Sequence, residues 1–453
     1  MKKSLAFKKN ILAALPCIAV IVFAAVFHYD NLRNYYEEVF TKSGLEYVDT
    51  EREAKKENER AAENEREYQK LLRAEEDKYN PTDQNSEVND KDTESIVKLP
   101  KLHALSALLL DAQNNRVLYE KNGYDKMPMA STTKIMTCIL ALENSKPRDV
   151  VKVSSYAAGM PDVQLNIRAG EEYYMGDLLY SLMLESHNDV AVAIAEHVGG
   201  SVEGFAKMMN EKAKSLGCEH TNFVTPNGLD AQGHYTTARD LAVIASYAIR
   251  NEDFIKVTNT TSYSFKELKK GRSHTVSNKN RFLFMMDGAI GVKTGFTGDA
   301  GYCFVGAIKR SDRTLISVVL GCGWPPKKNL KWVDTKELMA YGVTNYHERQ
   351  LPLETELEPL HVQKGQQNYE PLHIEGNLTL LMRDDEKVRV KYELPKYLKA
   401  PVKKNSIIGY ADYYINDFLF TRVPICAVLD IKELDLPYCF RRILDLWSCD
   451  VIK

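Results

Sequence analysis

Seventeen consecutive residues, Ile11–Phe27, carry no charge and are almost wholly apolar. This run sits at the short edge of what a membrane-spanning helix needs, roughly 17–25 residues. Lys2, Lys3, Lys8 and Lys9 precede it, and a basic flank on that side is expected to keep the start in the cytoplasm and export the rest. The same charge order also fits a cleaved signal peptide, with Val22-Phe23-Ala24 as a weak cleavage site, so residues 1–30 are read as membrane anchor or signal peptide. Whatever folds downstream is therefore expected to fold outside the cytoplasm. From residue 31 to 98 the composition does not support a core. Residues 51–80 alone hold 18 charged side chains, and the Asp/Asn/Ser-rich run after Asn80-Pro81 has almost nothing to bury. This segment is expected to be a charged spacer, largely disordered or helical through i,i+4 pairs.

The averages of the whole chain hide that partition. Sixty basic and 62 acidic residues leave a net charge of −2, so no basic stripe argues for a nucleic-acid partner. With 44% hydrophobic residues and one long apolar run, neither a wholly disordered chain nor a multi-span membrane protein is expected. Eight cysteines over 453 residues are too dilute for a disulfide framework and show no zinc-type spacing, so they are read as scattered buried thiols. No metal or cofactor is implied.

Three short motifs carry the chemistry. Ala107–Leu110 and Val117–Tyr119 flank the turn Gln113-Asn114-Asn115 and predict a hairpin. Shortly after it, Ser131-Thr132-Thr133-Lys134 opens a run of helical apolar density, which puts Lys134 one turn from Ser131 on the same face. A serine hydroxyl is a poor nucleophile until a base takes its proton, and a lysine amine can be that base where desolvation or a neighbouring cation keeps it neutral. A helix start adds backbone N–H groups that can face an oxyanion. Alone, the pattern is cheap: an N-cap serine is the ordinary reading, and Ser95-Ile96-Val97-Lys98 in the spacer repeats the spacing without assigned chemistry. Ser186-His187-Asn188 is the sole Ser-x-Asn triplet, suited to proton relay through Ser186 and amide contact through Asn188. Lys293-Thr294-Gly295 is also unique, within the strand-like Ile290–Thr297 and followed by a second strand, Tyr302–Ile308. A cation beside hydroxyls on a sheet edge suits a terminal carboxylate, and the edge backbone suits an extended peptide. His187, His234 and Arg239 read as structural.

In this order the three motifs form the set shared by class A β-lactamases and penicillin-binding proteins. Over roughly residues 100–435 the sequence resembles the serine-type D-alanyl-D-alanine carboxypeptidases, the low-molecular-mass penicillin-binding proteins. The stretches Asn222–Asp230 and His234–Leu241 add to the likeness. The resemblance implies an α+β fold: a β-lactamase/transpeptidase-like catalytic domain, an antiparallel sheet with a helical cluster, over 99–350. A small all-β sandwich over 355–435 follows. Residues 438–453 set Phe440, Ile443, Leu444, Leu446 and Trp447 among Arg441, Arg442, Asp445 and Asp450 and are read as an amphipathic tail helix, either interfacial or packed on the β domain. The resemblance implies removal of the terminal D-Ala from peptidoglycan stem peptides ending in D-Ala-D-Ala, and covalent inhibition by β-lactam antibiotics. Ser131 would be the acylated nucleophile, Lys134 its base, and Ser186 and Asn188 the second motif. Lys293, Thr294, Gly295, Phe296 and Thr297 would form the substrate-binding edge, with the N–H groups of Ser131 and Phe296 as oxyanion hole. Phe296 stands where some relatives have histidine. The alternatives are D,D-endopeptidase action, a class A-like β-lactamase, and a non-catalytic β-lactam sensor or scaffold. The β-lactamase would need a glutamate in a stretch, His220–Leu229, that holds no carboxylate. The resemblance places the protein at the outer face of the bacterial cytoplasmic membrane.

Overall fold

The structure, a computed structural model, describes residues 99–351, 357–374 and 378–449. The apolar run Ile11–Phe27, the charged spacer and Ser95–Lys98 lie outside the described residues. Strands β1 (Ser106–Asp111) and β2 (Arg116–Lys121) form the expected hairpin. A 3₁₀ turn, Ala130–Thr133, leads into α1 (Lys134–Asn144). Then come β3 (Val150–Lys152), α2 (Ser155–Ala158), β4 (Glu172–Tyr174), α3 (Met175–Leu184), α4 (Asn188–Gly199), α5 (Val202–Ser215), α6 (Ala238–Ala248) and α7 (Glu252–Asn259). A small hairpin, β5 (Ser262–Lys266) and β6 (Ser273–Ser277), precedes β7 (Ala289–Thr297), β8 (Gly301–Lys309), β9 (Thr314–Leu320) and α8 (Leu330–Asn345).

The central sheet has the order β2-β1-β9-β8-β7, with every neighbouring pair antiparallel. Its strands read as continuous apolar runs because both faces are covered. Along β1, Leu108 and Leu110 join the core shared with the helical cluster, whereas Ala107 and Leu109 join the core under α8, as the two-residue period of a strand requires. Val305 and Phe304 divide in the same way on β8. Helix α1 is sunk in the cluster: every residue from Lys134 to Ala141 is buried. That leaves β7 as a sheet edge beside the start of α1.

After Tyr346 the chain turns to short strands: β10 (His347–Gln350), β11 (Leu360–Gln363), β12 (Tyr369–Glu370), β13 (Leu372–Ile374), β14 (Thr379–Met382), β15 (Val388–Glu393), β16 (Leu398–Lys399), β17 (Ile407–Ile415) and β18 (Phe418–Ala427). β13-β18-β17-β15 make one sheet and β12-β11-β16 another. β15 alternates half-buried Val388, Val390 and Tyr392 with exposed Arg389, Lys391 and Glu393. Asn416 and Asp417, both at positive φ (49° and 69°), close the β17–β18 hairpin, the conformation that two-residue hairpin turns favour. Helix α9 (Leu436–Cys449) ends the described chain.

The β-rich part is fastened to the catalytic part by buried polar contacts. The Arg116 guanidinium on β2 donates to the Glu386 carboxylate and to the Leu381 carbonyl, and both side chains are nearly inaccessible. Arg383 donates to the Tyr341 hydroxyl at 3.1 Å, and Arg116 and Arg383 both lie over the Tyr346 ring at 5.8 and 5.9 Å. Leu381 itself enters the core beneath α8. Removing one partner of a buried ion pair strands the other, at about 3–5 kcal/mol. Arg116→Ala is therefore expected to split the calorimetric unfolding of the full chain into two transitions, whereas a lone transition within about 1 kcal/mol of the parent would contradict this coupling.

Candidate active site

Ser131 sits in the 3₁₀ turn rather than in regular α-helix, and the turn is fixed by its own hydroxyls. Thr132 donates to the Met129 carbonyl at 2.5 Å and Thr133 to the Ala130 carbonyl at 2.8 Å. Ala130 is at φ +47°, an uncommon conformation for a residue with a Cβ. Two glycines let other chain segments approach this turn. A Cβ on Gly228, at φ +79°, would lie 2.0 Å from the Ala130 oxygen, and one on Gly295 of β7 would lie 3.1 Å from the Ser131 nitrogen. Glycine is needed at 228, where φ is positive and backbone presses on backbone, and at 295 a side chain would crowd the turn.

Lys134, the first residue of α1, is fully buried. Its Nζ lies 2.9 Å from Ser131 Oγ, 2.9 Å from Asn188 Oδ1 and 2.5 Å from the Asn227 carbonyl oxygen. Burial drives its pKa well below the ordinary lysine value; the charge of Lys293 lowers it further, and Asp189 opposes both. The hydrogen bonds agree with a neutral amine. Asn188 Oδ1 and the Asn227 carbonyl can only accept, so they take the two amine protons, and the remaining lone pair faces the Ser131 hydroxyl. That is the arrangement a general base needs.

The second motif lies at the turn between α3 and α4. Ser186 is at φ +73°, and its Oγ is buried without a hydrogen-bond partner among the described residues. Asn188 starts α4; besides accepting from Lys134, its Nδ2 donates to the carbonyls of Pro161 (3.2 Å) and Asp162 (3.0 Å). Both amide protons are thus engaged by the 161–167 loop, and contact with a substrate carbonyl requires an exchange of partners. Asp189, buried, accepts from the N–H groups of Leu165 and Ile167 at 3.1 Å each, which pins that loop.

The third motif lies on β7. Lys293 is buried, its Nζ donating to the Thr294 carbonyl at 3.0 Å, and burial lowers its pKa to about 7. Thr294 pairs with Phe304, Gly295 with Cys303, and Phe296 with Tyr302. The Phe296 ring is partly exposed, 4.6 Å from that of Tyr302. Thr297 donates to Asp230 Oδ1 at 2.7 Å. The structure thus joins Ser131, Lys134 and Asn188 directly, and places Lys293 close enough to act on Lys134 electrostatically. His234, read as structural, accepts from the Val224 N–H at 3.0 Å and meets Thr133 at 2.9 Å behind the turn; burial lowers its pKa to about 4.

Two participants escaped the sequence reading. Asn227 acts through its main-chain carbonyl, which no residue letter encodes; the turn Pro226-Asn227-Gly228 was the available signal. Asp230 lies one position beyond the stretch noted as lacking carboxylates and closes the far end of the edge through Thr297. Among the described residues no cluster of His, Cys, Asp and Glu is arranged to hold a metal ion.

Comparison with known proteins identifies the family. Residues 93–323 match the model of the D-alanyl-D-alanine carboxypeptidase family, and residues 353–433 match that of the penicillin-binding protein 5 C-terminal domain. D-alanyl-D-alanine carboxypeptidase DacF of Bacillus subtilis is 30% identical over 354 residues, covering 76% of this chain and 90% of the relative. DacC of Escherichia coli is 29% identical over 359 residues, covering 75% and 87%. Among solved structures, penicillin-binding protein 5 from Haemophilus influenzae superposes with a TM-score of 0.64 at 27% identity, covering 74% of this chain and all of that one. The Streptomyces K15 DD-transpeptidase gives 0.51 at 32% identity, covering 55% and 99%. The fold is that of the transpeptidase/β-lactamase-like serine enzymes with a C-terminal β domain. The chain belongs to the D-alanyl-D-alanine carboxypeptidase family of serine peptidases.

The electrostatics of the two lysines set a pH test. If Lys134 serves as the base, its neutral amine is the competent form, and activity is expected to fall as pH drops through its pKa. Lys293⁺ repels a proton on Lys134; removing that charge makes Lys134 easier to protonate and raises its pKa. Lys293→Met is therefore expected to move the acid limb of penicillin acylation to higher pH, as read from stopped-flow labelling rates. A shift to lower pH would contradict the coupling.

Proposed function

We propose that this chain removes the terminal D-Ala of peptidoglycan stem pentapeptides through an acyl-enzyme on Ser131. The observation that carries the reading is the fully buried Lys134 Nζ at 2.9 Å from Ser131 Oγ, with burial driving its pKa well below the ordinary lysine value. Lys134 takes the hydroxyl proton as Ser131 Oγ attacks the carbonyl between the two D-Ala residues. The N–H groups of Ser131 and Phe296 bind the developing oxyanion. Ser186 relays the proton taken up by Lys134 to the departing D-Ala nitrogen, which leaves as the amine and returns Lys134 to its neutral form. Lys134 then draws a proton from water, which cleaves the ester and restores Ser131. Lys293 and Thr294 hold the terminal carboxylate; a bound carboxylate favours the charged form of Lys293, whose pKa burial alone brings to about 7. Asn188 and the β7 edge hold the acyl side, with Gly295 and Thr297 shaping that edge. A β-lactam acylates the same serine, and its tethered leaving group slows release.

Incubating the protein with a stem pentapeptide is expected to shorten it by one D-Ala, as read by mass spectrometry, and a fluorescent penicillin is expected to label it covalently. Ser131→Ala is expected to lose both. Full labelling of that variant would overturn the assignment. Nitrocefin turnover is expected to be slow: the Asn227 carbonyl, not a glutamate, faces Lys134, and the nearest following carboxylate, Asp230, is bonded to Thr297. Fast steady hydrolysis would favour the β-lactamase reading.

The reading also places the protein at the outer face of the cytoplasmic membrane. Residues 1–30 would serve as anchor or signal, residues 31–98 as spacer, and α9 as a second contact. Helix α9 supports this: Leu436, Phe440, Ile443, Leu444 and Trp447 are exposed along one face, with Arg441 and Arg442 beside them. Among the described residues no helix is long and apolar enough to cross a membrane. Chains lacking residues 1–30, residues 438–453, or both are expected to show graded loss from the membrane fraction. Complete loss on removing residues 1–30 alone would discard a role for α9.

A further inference from the structure

Between Ser186 and Asn188 stands His187, a residue the proposed reaction does not use. It is almost fully buried, yet its ring is held from both sides. Nδ1 lies 2.7 Å from Ser181 Oγ on α3, and Nε2 lies 3.3 Å from Glu185 Oε2. The other oxygen of Glu185 accepts from the Ser277 N–H of β6 at 3.1 Å and from Lys279 Nζ at 3.0 Å. A continuous polar chain thus runs from β6 through Glu185 and His187 into α3.

The proton bookkeeping of this chain is complete with a neutral ring. A carboxylate accepts only, so Nε2 carries the proton toward Glu185, and Nδ1 is left to accept the Ser181 hydroxyl. Burial favours that neutral form, the charge of Lys293 acts in the same direction, and Asp189 and Glu185 oppose them. A neutral ring held at both nitrogens is a dipolar strut that adds no cation beside Lys293.

What it braces is the residue before it. Ser186 is in the left-handed region, at φ +73°, and its Oγ has no partner among the described residues. A serine keeps such a backbone only where its surroundings over-determine it. Asn188 is fixed on one side of it by Lys134 and the 161–167 loop, and its chain neighbours Glu185 and His187 are held by the contacts described above. We propose that His187, held by Glu185, is a positioning residue that keeps Ser186 oriented for proton transfer. This inference rests on the proposed carboxypeptidase reaction.

The test uses the full chain, pentapeptide substrate and a fluorescent penicillin. The parent protein and Ser131→Ala first establish whether the reaction occurs at all, so failure there is separate from failure of this inference. His187→Ala is then expected to lower kcat about tenfold or more while KM stays within about threefold, and His187→Gln, which can still donate to Glu185, to recover most of the loss. In a Ser186→Ala background, His187→Ala is expected to cost no more than about threefold, because the group it positions is gone. Glu185→Gln provides a second variant should His187→Ala not fold, with a loss of kcat in the same direction. A kcat within about twofold of the parent in the folded variants, or an equal loss with and without Ser186, would overturn the proposal.

Discussion

The site depends on the removal of one amine from water. A charged lysine buried this completely costs several kcal/mol, and the cost falls away if the amine gives up its proton. A neutral amine still has two donors and a lone pair to satisfy, and the fold supplies a partner for each. The Asn227 carbonyl and Asn188 Oδ1 take the protons, and Ser131 is what remains. Each partner arrives on a different stretch of chain: Ser131 on the 3₁₀ turn, Asn188 at the start of α4, Asn227 on a turn that only Gly228 lets approach. Sinking α1 between the other helices buries Lys134, so core packing and the lowered pKa of the amine beside Ser131 have the same origin.

The parts of this site visible in the sequence are those written in side-chain spacing. Three residues from Ser131 to Lys134 is one helical turn, and β7 and β8 read as strands from their own composition. The double-sided burial of the sheet is likewise audible in unbroken runs such as Ala107–Leu110. What stayed hidden is carried by the main chain or by long-range meetings. The Asn227 carbonyl could have belonged to any residue. The hold of the 161–167 loop on the Asn188 amide joins positions that share no pattern, and so does the bond between Asp230 and Thr297. Ser131 was read as opening a helix, and the finer distinction of a 3₁₀ turn comes from the threonine hydroxyls that tighten it.

The join between catalytic and β-rich parts shows the same limit on a larger scale. The period-two alternation of β15 and the Asn416-Asp417 turn announce the β hairpins plainly. Nothing in the sequence pairs Arg116 with Glu386, because neither lies in a patterned stretch and their meeting depends on the whole intervening fold. Yet this buried pair, with the guanidinium groups of Arg116 and Arg383 over the Tyr346 ring, ties the β-rich part to the catalytic part. A support that transmits orientation requires such a rigid joint, since polar inter-domain surfaces otherwise leave the two parts free to move.

Phe296 sharpens the electrostatic argument. Its ring rests against Tyr302 and offers no ionisable group at the end of the edge where a histidine would have brought a second titrating centre. His187 and His234 are buried with lowered pKa values, and both are committed to hydrogen bonds. The titrating groups left in this site are therefore Lys134 and Lys293. In the proposed reaction their requirements are opposite: Lys134 is neutral to accept the serine proton, and Lys293 is charged to hold a carboxylate. Mutual repulsion allows both conditions together, since a proton on Lys293 disfavours one on Lys134. A substrate carboxylate arriving at β7 would draw the charge toward Lys293. Binding would thus favour the proton distribution that the attack by Ser131 requires.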